Sequence, residues 1–209
     1  MHNQIILVGG GGHCESVIDV AEGAGYNIIG ILDVKENVGK KVLGYHIIGT
    51  DDNIIDWVNK ASFVVTVGQI KSNILRTKLH QHIINAGGRL ATLVAQDSYV
   101  SKHAIIGEGS VIMHKAVINA NAGIGKGCII NTFANIEHDA IIGDFCHIST
   151  GAMINGNCEI GNSTFVGSGA VISNGVSIAE NTVIAAGAVV RKTLSKSGIY
   201  AGNPAIKYK

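Results

Sequence analysis

The chain has no excess of either charge, no long apolar run and no closely spaced cysteine pair, and each absence excludes a class of protein. The 209 residues carry a formal net charge of +1. Proteins that follow a phosphate backbone concentrate Lys and Arg, so we expect no nucleic-acid partner. No segment approaches the roughly 20 apolar residues that span a bilayer, and the first residues lack the features of a signal peptide. The composition therefore predicts a soluble cytoplasmic protein without membrane insertion.

Cysteine and proline are both scarce. The four cysteines are Cys14, Cys128, Cys146 and Cys158. None forms a CxxC pair, so we expect free thiols rather than disulfides or a metal site. Cys128 and Cys146 are 18 residues apart and each precedes an isoleucine by two, which predicts that they stack inward as small buried side chains. The only proline, Pro204, predicts a fixed turn near the end of the chain.

An uninterrupted repeat occupies the second half of the chain, where every sixth residue from Val100 to Val190 is isoleucine or valine. A small residue stands two positions before each aliphatic one, with Val176 the large exception. A period of six fits neither an α-helix nor a plain strand. It is typical of a parallel β-helix, in which three short strands make one triangular coil, and it predicts about five stacked coils.

The first part of the chain instead alternates short apolar strands with helical segments. We predict strands at Gln4–Val8, Asn27–Leu32 and 63–67, and helices at 15–24, at 51–59 with Asp51 or Asp52 as its cap, and at 70–86. This order indicates a small Rossmann-like parallel α/β sheet. The sequence thus predicts an α/β domain at 1–94, a β-helix at 95–194 and a tail at 195–209.

A GGGGH segment at 9–13 follows the first predicted strand. At that edge of a parallel sheet, glycine lets backbone N–H groups and a helix N terminus approach phosphate oxygens. The dinucleotide fingerprint is not met, since Cys14 and Glu15 stand where its third glycine belongs. An anion site and a purely structural turn both remain open. Asp33 ends the second strand and suits either a ribose or base contact or a turn. The candidate phosphate-binding residues are Gly10, Gly11, Gly12 and His13.

Six motifs are distributed along nearly the whole chain: GGGGH at 9–13, ILD at 31–33, VGQIKSN at 67–73, INTFANIEHDAIIGDFCHIS at 130–149, NGNCEIG at 155–161 and AGNPA at 201–205. In combination they resemble the NeuD/PglD-type sugar acetyltransferases. The resemblance implies a left-handed β-helix enzyme that uses acetyl-CoA and no metal. It also implies a homotrimer with active sites at the seams between subunits, and an α/β domain that binds the nucleotide-linked sugar.

The resemblance assigns roles to five residues of the β-helix. His138 is the implied general base and Asp139 the acid that orients or polarises it. His147 and Gly156 would line the acetyl-CoA groove, Gly156 through a backbone N–H near the thioester oxygen, and Asn131 would lie beside the catalytic histidine. The first role suits the chemistry, because an amine must lose a proton as it attacks a thioester. Asp139 departs from the pattern, since some relatives carry Glu there.

The leading hypothesis is N-acetylation of a nucleotide-linked amino sugar, a 4-amino-6-deoxy hexose, for surface glycan biosynthesis. One alternative within the enzyme class is O-acetylation of sialic acid or a related sugar. A zinc-dependent lyase of the β-helix type would need an H-x4-H pair, which the repeat does not contain. A non-catalytic β-helix binding protein is the remaining alternative, and the IEHD motif argues against it.

Overall fold

The computed structural model describes residues 3–69 and 72–208, which form two compact units. The first unit comprises residues 3–68 and Ser72–Gln96. The second comprises Gln69 and residues 97–208. No helix in these described ranges is both long and apolar enough to cross a membrane.

The first unit is built on a sheet with the strand order β3-β4-β2-β1-β5. Its strands are β1 (Gln4–Val8), β2 (Asn27–Leu32), β3 (Lys41–Val42), β4 (Tyr45–Gly49) and β5 (Ser62–Val65). The unit also contains α1 (Gly12–Gly23), α2 (Ile74–Asn85), β6 (Leu93–Val94) and the 3₁₀ helices Lys35–Asn37 and Asp51–Asp56. Strands β4, β2, β1 and β5 are parallel, and β3 joins β4 as an antiparallel hairpin.

Helix α1 packs through one face, because its buried residues recur at helical spacing. Cys14, Val17, Ile18 and Ala21 are all fully buried, and burying an aliphatic side chain contributes about 1.5 to 3 kcal/mol. Only residues 9–11 separate β1 from α1. The N terminus of the helix therefore lies directly at the carboxyl end of β1.

Most of the predicted elements are present, with shifted bounds. Strands β1 and β2 match the prediction, and α1 begins three residues earlier than predicted. Residues 70 and 71, which the predicted 70–86 helix included, lie outside the described residues, and α2 begins at Ile74.

Two details of the first unit were wrong or missed. The N-cap of the Asp51–Asp56 helix is Thr50, not Asp51 or Asp52, and the Thr50 N–H donates to Asn53 Oδ1 at 2.9 Å. The β3–β4 hairpin was not predicted.

The second unit is a stack of two-residue parallel strands, followed by a three-residue strand and a last, antiparallel strand. They are β7 (Tyr99–Val100), β8 (Ile105–Ile106), β9 (Val111–Ile112), β10 (Val117–Ile118), β11 (Gly123–Ile124), β12 (Ile129–Ile130), β13 (Asn135–Ile136), β14 (Ile141–Ile142), β15 (His147–Ile148), β16 (Met153–Ile154), β17 (Glu159–Ile160), β18 (Phe165–Val166), β19 (Val171–Ile172), β20 (Ser177–Ile178), β21 (Val183–Ile184), β22 (Val189–Val190), β23 (Ile199–Ala201) and β24 (Ile206–Lys207). Every third strand pairs, so that Val117 lies beside Asn135 and Asn135 beside Met153. One coil is thus 18 residues, as the repeat predicts.

The repeat aliphatic residues fill the interior of the coils. From Ile112 to Val190 all of them are buried. Cys128 and Cys146 are buried free thiols, as predicted, and they donate to the carbonyls of Gly143 and Gly161 at 3.1 and 3.2 Å. After the coils, β23 and β24 form an antiparallel pair around the Pro204 turn, which confirms the predicted turn.

Candidate active site

His138 and Asp139 form a hydrogen-bonded pair on a corner of the β-helix between β13 and β14. Their Nδ1 and Oδ2 atoms are 2.8 Å apart. The side chains are 55% and 41% exposed, so the pair faces outward. The Asp139 carboxylate can only accept, so Nδ1 of the neutral imidazole carries the proton and Nε2 keeps a free lone pair.

Asp139 is held from a second side as well. Asn121 Nδ2 donates to Asp139 Oδ1 at 2.6 Å. The hydrogen bond from Asn121, followed by that from His138, holds the pKa of the Asp139 carboxyl below its usual value. The carboxylate therefore stays ionised, which is the state that fixes the imidazole proton on Nδ1.

Gly156 lies against the His138 ring. A Cβ at this position would be 2.8 Å from both Nε2 and Cε1 of His138. Any side chain would therefore displace the imidazole. The Gly156 N–H donates to no acceptor among the described residues, so it is available to a bound molecule.

His147 lies in a different environment. It is only 8% exposed, and its Nδ1 donates to the carbonyl oxygen of Gln69 at 2.7 Å. Asn131 Nδ2 lies 3.3 Å from His147 Nε2, and Phe165 packs edge-on at 5.2 Å between ring centroids. The predicted position of Asn131 was beside His138, whereas the hydrogen bond of its side chain goes to His147.

Glu137, which the sequence analysis did not single out, completes the polar corner. Its two carboxylate oxygens accept from Asn119 Nδ2 at 3.0 Å and from Asn135 Nδ2 at 2.9 Å. Asn119 and Asn121 stand one coil, or 18 residues, before Glu137 and Asp139. The coil period was the signal that could have identified both asparagines.

The glycine segment in the first unit opens α1 without a capping side chain. Gly11 is the N-cap, and no side chain among the described residues caps the helix with a hydrogen bond. A Cβ at Gly11 or Gly12 would meet nothing within 4 Å, whereas one at Gly10 would lie 2.7 Å from Asp33 Oδ2. Gly10 therefore serves packing, and the next two glycines leave an open approach to uncapped N–H groups.

Asp33 organises the loop after β2. It accepts from the backbone N–H groups of Gly10 at 3.2 Å and Val34 at 2.7 Å, and from Asn37 Nδ2 at 3.1 Å. The turn interpretation of Asp33 is thus correct. The same residue also lines an open cavity of about 620 Å³, together with residues 34–36 and 50–52.

His13 is a neutral member of the glycine segment. Burial, and then the charge of Arg76, lower its pKa to about 4. His13 Nε2 is buried without a hydrogen-bond partner among the described residues. A phosphate here would consequently meet backbone N–H groups rather than a histidine cation. No cluster of His, Cys, Asp and Glu in the described part of the chain could hold a metal ion.

Two family models match the chain. The PglD N-terminal domain matches residues 4–83, and the bacterial transferase hexapeptide model, of six repeats, matches residues 157–192. No curated protein matches significantly.

Solved structures match over nearly the whole chain. The acetyltransferase domain of PglB from Neisseria gonorrhoeae, solved alone and with acetyl coenzyme A, is 31% identical, with a TM-score of 0.91, and the match covers 99% of this chain and 100% of that one. PerB from Caulobacter crescentus, solved with CoA and GDP-perosamine, is 31% identical, with a TM-score of 0.90 and coverage of 97% and 96%.

A third relative is similar in fold alone. WeeI from Acinetobacter baumannii is 23% identical, with a TM-score of 0.86 and coverage of 97% and 98%. With these matches, the predicted fold class of an α/β domain followed by a left-handed β-helix is confirmed.

Proposed function

Because this chain belongs to the NeuD/PglD-type family of hexapeptide-repeat sugar acetyltransferases, we propose that it transfers the acetyl group of acetyl-CoA to the amine of a nucleotide-linked 4-amino-6-deoxy hexose for surface glycan biosynthesis. Two relatives support this proposal: a PglB acetyltransferase domain bound to acetyl coenzyme A supports the donor, and a perosamine N-acetyltransferase bound to CoA and GDP-perosamine supports the acceptor class. The second relative favours an amine over the hydroxyl that a sialic acid O-acetyltransferase would use.

One observation carries the proposed mechanism: the bond from His138 Nδ1 to Asp139 leaves Nε2 as a proton acceptor on an exposed corner. The sugar amine attacks the thioester carbonyl carbon, and Nε2 accepts the proton that the nitrogen loses. The carbon–sulfur bond then breaks. The CoA thiolate takes the proton from His138, which returns the imidazole to its starting state.

Gly156, His147 and Asn131 are the proposed acetyl-CoA residues. The Gly156 N–H, next to His138 Nε2, suits the developing charge on the thioester oxygen. The hydrogen bond to Gln69 fixes the His147 ring with Nε2 directed to Asn131. His147 thus holds the Asn131 amide in place, and Asn131 keeps its second N–H as a donor for a carbonyl group of the CoA arm.

The α/β unit is the proposed nucleotide site. Uncapped N–H groups at Gly11 and Gly12 suit the diphosphate. Asp33, bonded to Gly10, lies next to this turn and also borders the open cavity. The nucleoside would therefore extend from the glycine turn into the cavity, where carboxylate and backbone groups meet its ribose or base.

The proposed assembly is a homotrimer. Several apolar side chains of the β-helix are more than 40% exposed, and a second copy would cover them: Tyr99, Ile105, Phe133, Ile141 and Met153. The trimer, its active sites at the seams and the cytoplasmic location stay predictions.

The experiment that tests the function is release of CoA thiol from acetyl-CoA with GDP- and UDP-linked 4-amino-6-deoxy hexoses. The matching 4-hydroxy sugars and free sialic acid serve as acceptor controls. We expect release only with the amino sugars. Equal release with the hydroxyl acceptors would contradict the proposal.

A further inference from the structure

We propose that Asn121 is a positioning residue for acetyl transfer, which holds Asp139 in the one orientation that fixes the His138 imidazole. This inference rests on the proposed function, because it assigns Asn121 an effect that acts through the proposed general base. Asn121 itself need not touch either substrate.

The geometry of the Asp139 carboxylate carries the inference. Each of its oxygens has one donor: Oδ1 accepts from Asn121 at 2.6 Å and Oδ2 from His138 at 2.8 Å. With both oxygens bonded in different directions, the plane of the carboxylate is fixed. If Asn121 did not hold Oδ1, an exposed carboxylate would turn toward water and release the imidazole.

The fold itself brings the two side chains together. Asn121 and Asp139 occupy the same corner in adjacent coils, and both have left-handed backbone conformations, with φ of 62° and 60°. Asparagine and aspartate tolerate this conformation better than other residues with a Cβ. The stacked backbones therefore place the amide directly against the carboxylate, 18 residues later in the chain.

The hydrogen bond from Asn121 also affects the charge of the Asp139 carboxyl. The largest cause of its lowered pKa is the Asn121 amide, ahead of His138. The other carboxylate of the corner, Glu137, has its own donors in Asn119 and Asn135. The Asn121 side chain therefore bonds to Asp139 and not to Glu137.

Two substitutions separate the amide from the backbone. Asn121→Gly removes the amide but keeps a residue that adopts positive φ readily, and Asn121→Asp keeps the shape but replaces the donor with a charged acceptor. We expect kcat to fall about tenfold in Asn121→Gly, the size of a lost charge-assisted hydrogen bond, and further in Asn121→Asp. The KM for acetyl-CoA should stay unchanged in both.

The matched control is Asn181→Gly. Asn181 is also an exposed corner residue, with φ of 54°, so this variant reports the cost of losing such an asparagine without touching Asp139. We expect its kcat to equal that of the wild type.

A double-mutant cycle tests whether Asn121 affects kcat through Asp139. If Asn121 acts through Asp139, adding Asn121→Gly to Asp139→Gly should change kcat no further, whereas independent effects would multiply. If the losses of kcat from the two single variants multiply in the double variant, this inference is overturned. It is also overturned if Asn121→Gly keeps wild-type kcat while His138→Ala and Asp139→Gly are slow, and in both cases the proposed function stands. Wild-type kcat in His138→Ala would instead overturn the proposed function.

Discussion

Gly156 and His138 lie in adjacent coils with no room for a side chain between them: a Cβ on Gly156 would be 2.8 Å from His138 Nε2. Gly156 has a backbone conformation that other residues adopt, since its φ is not in the left-handed region. A glycine is therefore needed at position 156 because the imidazole occupies the space of a Cβ, and not because of the backbone conformation. This contact places a free N–H donor next to the proposed proton acceptor.

We predict that Gly156→Ala lowers kcat by about 10- to 100-fold, because the methyl group must push the imidazole away from its position. The fold should survive, since the substitution adds only one outward methyl group. Steady-state kinetics with circular dichroism would measure both effects.

Gly123→Ala is the control for this prediction. It also adds a methyl group to the β-helix, but its nearest contact is the flexible end of Ile141 at 3.2 Å. Equal losses of activity in the two variants would show that Gly156 has no special relation to His138.

The glycine turn allows a prediction about the nucleotide. Gly11 has an extended backbone, with φ −80° and ψ −175°, and open space around its missing Cβ, so valine fits the protein there. Gly11→Val should raise the KM for the sugar nucleotide and leave acetyl-CoA binding intact, because the side chain would occupy the proposed phosphate position. Calorimetry with each substrate would measure this.

Gly23→Ala, which lies at the other end of α1 and also meets nothing within 4 Å, is the matched control and should bind both substrates normally. Equal weakening of both substrates by Gly11→Val would mean that the turn is not the phosphate site.

The sequence predicted the parts of the molecule that a strict period controls. Only a β-helix buries an aliphatic residue at every sixth position, so the coils, their 18-residue register and the inward thiols followed from spacing. The exposed corner position of His138 followed from the same spacing.

What the sequence did not reveal depends on contacts that have no local pattern. Strands β3 and β4 are short, and their turn depends on positive φ at Leu43 and Gly44. The bonds from Asn121 to Asp139 and from His147 to Gln69 join residues 18 and 78 positions apart. Of the two, only the first could have been read from the coil period.

Stability should depend on pH through two histidines of the first unit, the buried His80 and the half-buried His13. Burial, and then the charge of Arg76, lower the pKa of both His13 and His80 to about 4. Between the unfolded pKa of about 6.5 and pH 4, the unfolded chain binds protons that the folded one does not, so stability falls as the pH decreases through this window.

Each of these histidines contributes up to about 3 kcal/mol to that change. We predict that the free energy of urea unfolding decreases steadily from pH 7 to pH 4, and that His80→Leu reduces this slope by roughly half. A constant free energy across the window would contradict the prediction.

His147 should act on the cosubstrate. Its ring is fixed between the Gln69 carbonyl, the Asn131 amide and Phe165. We predict that His147→Ala raises the Kd for acetyl-CoA about tenfold or more, since both the ring surface and the partner that orients the Asn131 amide are lost. Isothermal titration would measure the Kd, and Asn131→Ala should change it in the same direction. A large loss of kcat with unchanged Kd would assign His147 to the chemical step instead.

Substitution of His138 tests the proposed mechanism most directly. Removing a positioned general base costs about 10²- to 10⁴-fold in rate, so His138→Ala should lose kcat while acetyl-CoA still binds. Raising the pH should recover part of the loss, because more of the sugar amine is then unprotonated. Asp139→Asn should lose less, since Asp139 orients the imidazole through the 2.8 Å bond and accepts no proton from substrate.

The decisive measurement for this residue is the pH profile of kcat/KM on one amino sugar for the wild type and for His138→Ala. His103→Ala, at another histidine of the β-helix that bonds to no reacting group, should match the wild type throughout. We expect the difference between the wild-type and His138→Ala profiles to narrow at high pH, because hydroxide can then accept the proton that the amine loses as it attacks. Near-wild-type activity of His138→Ala at neutral pH would remove His138 from the mechanism, and with it the reason for the bond to Asp139.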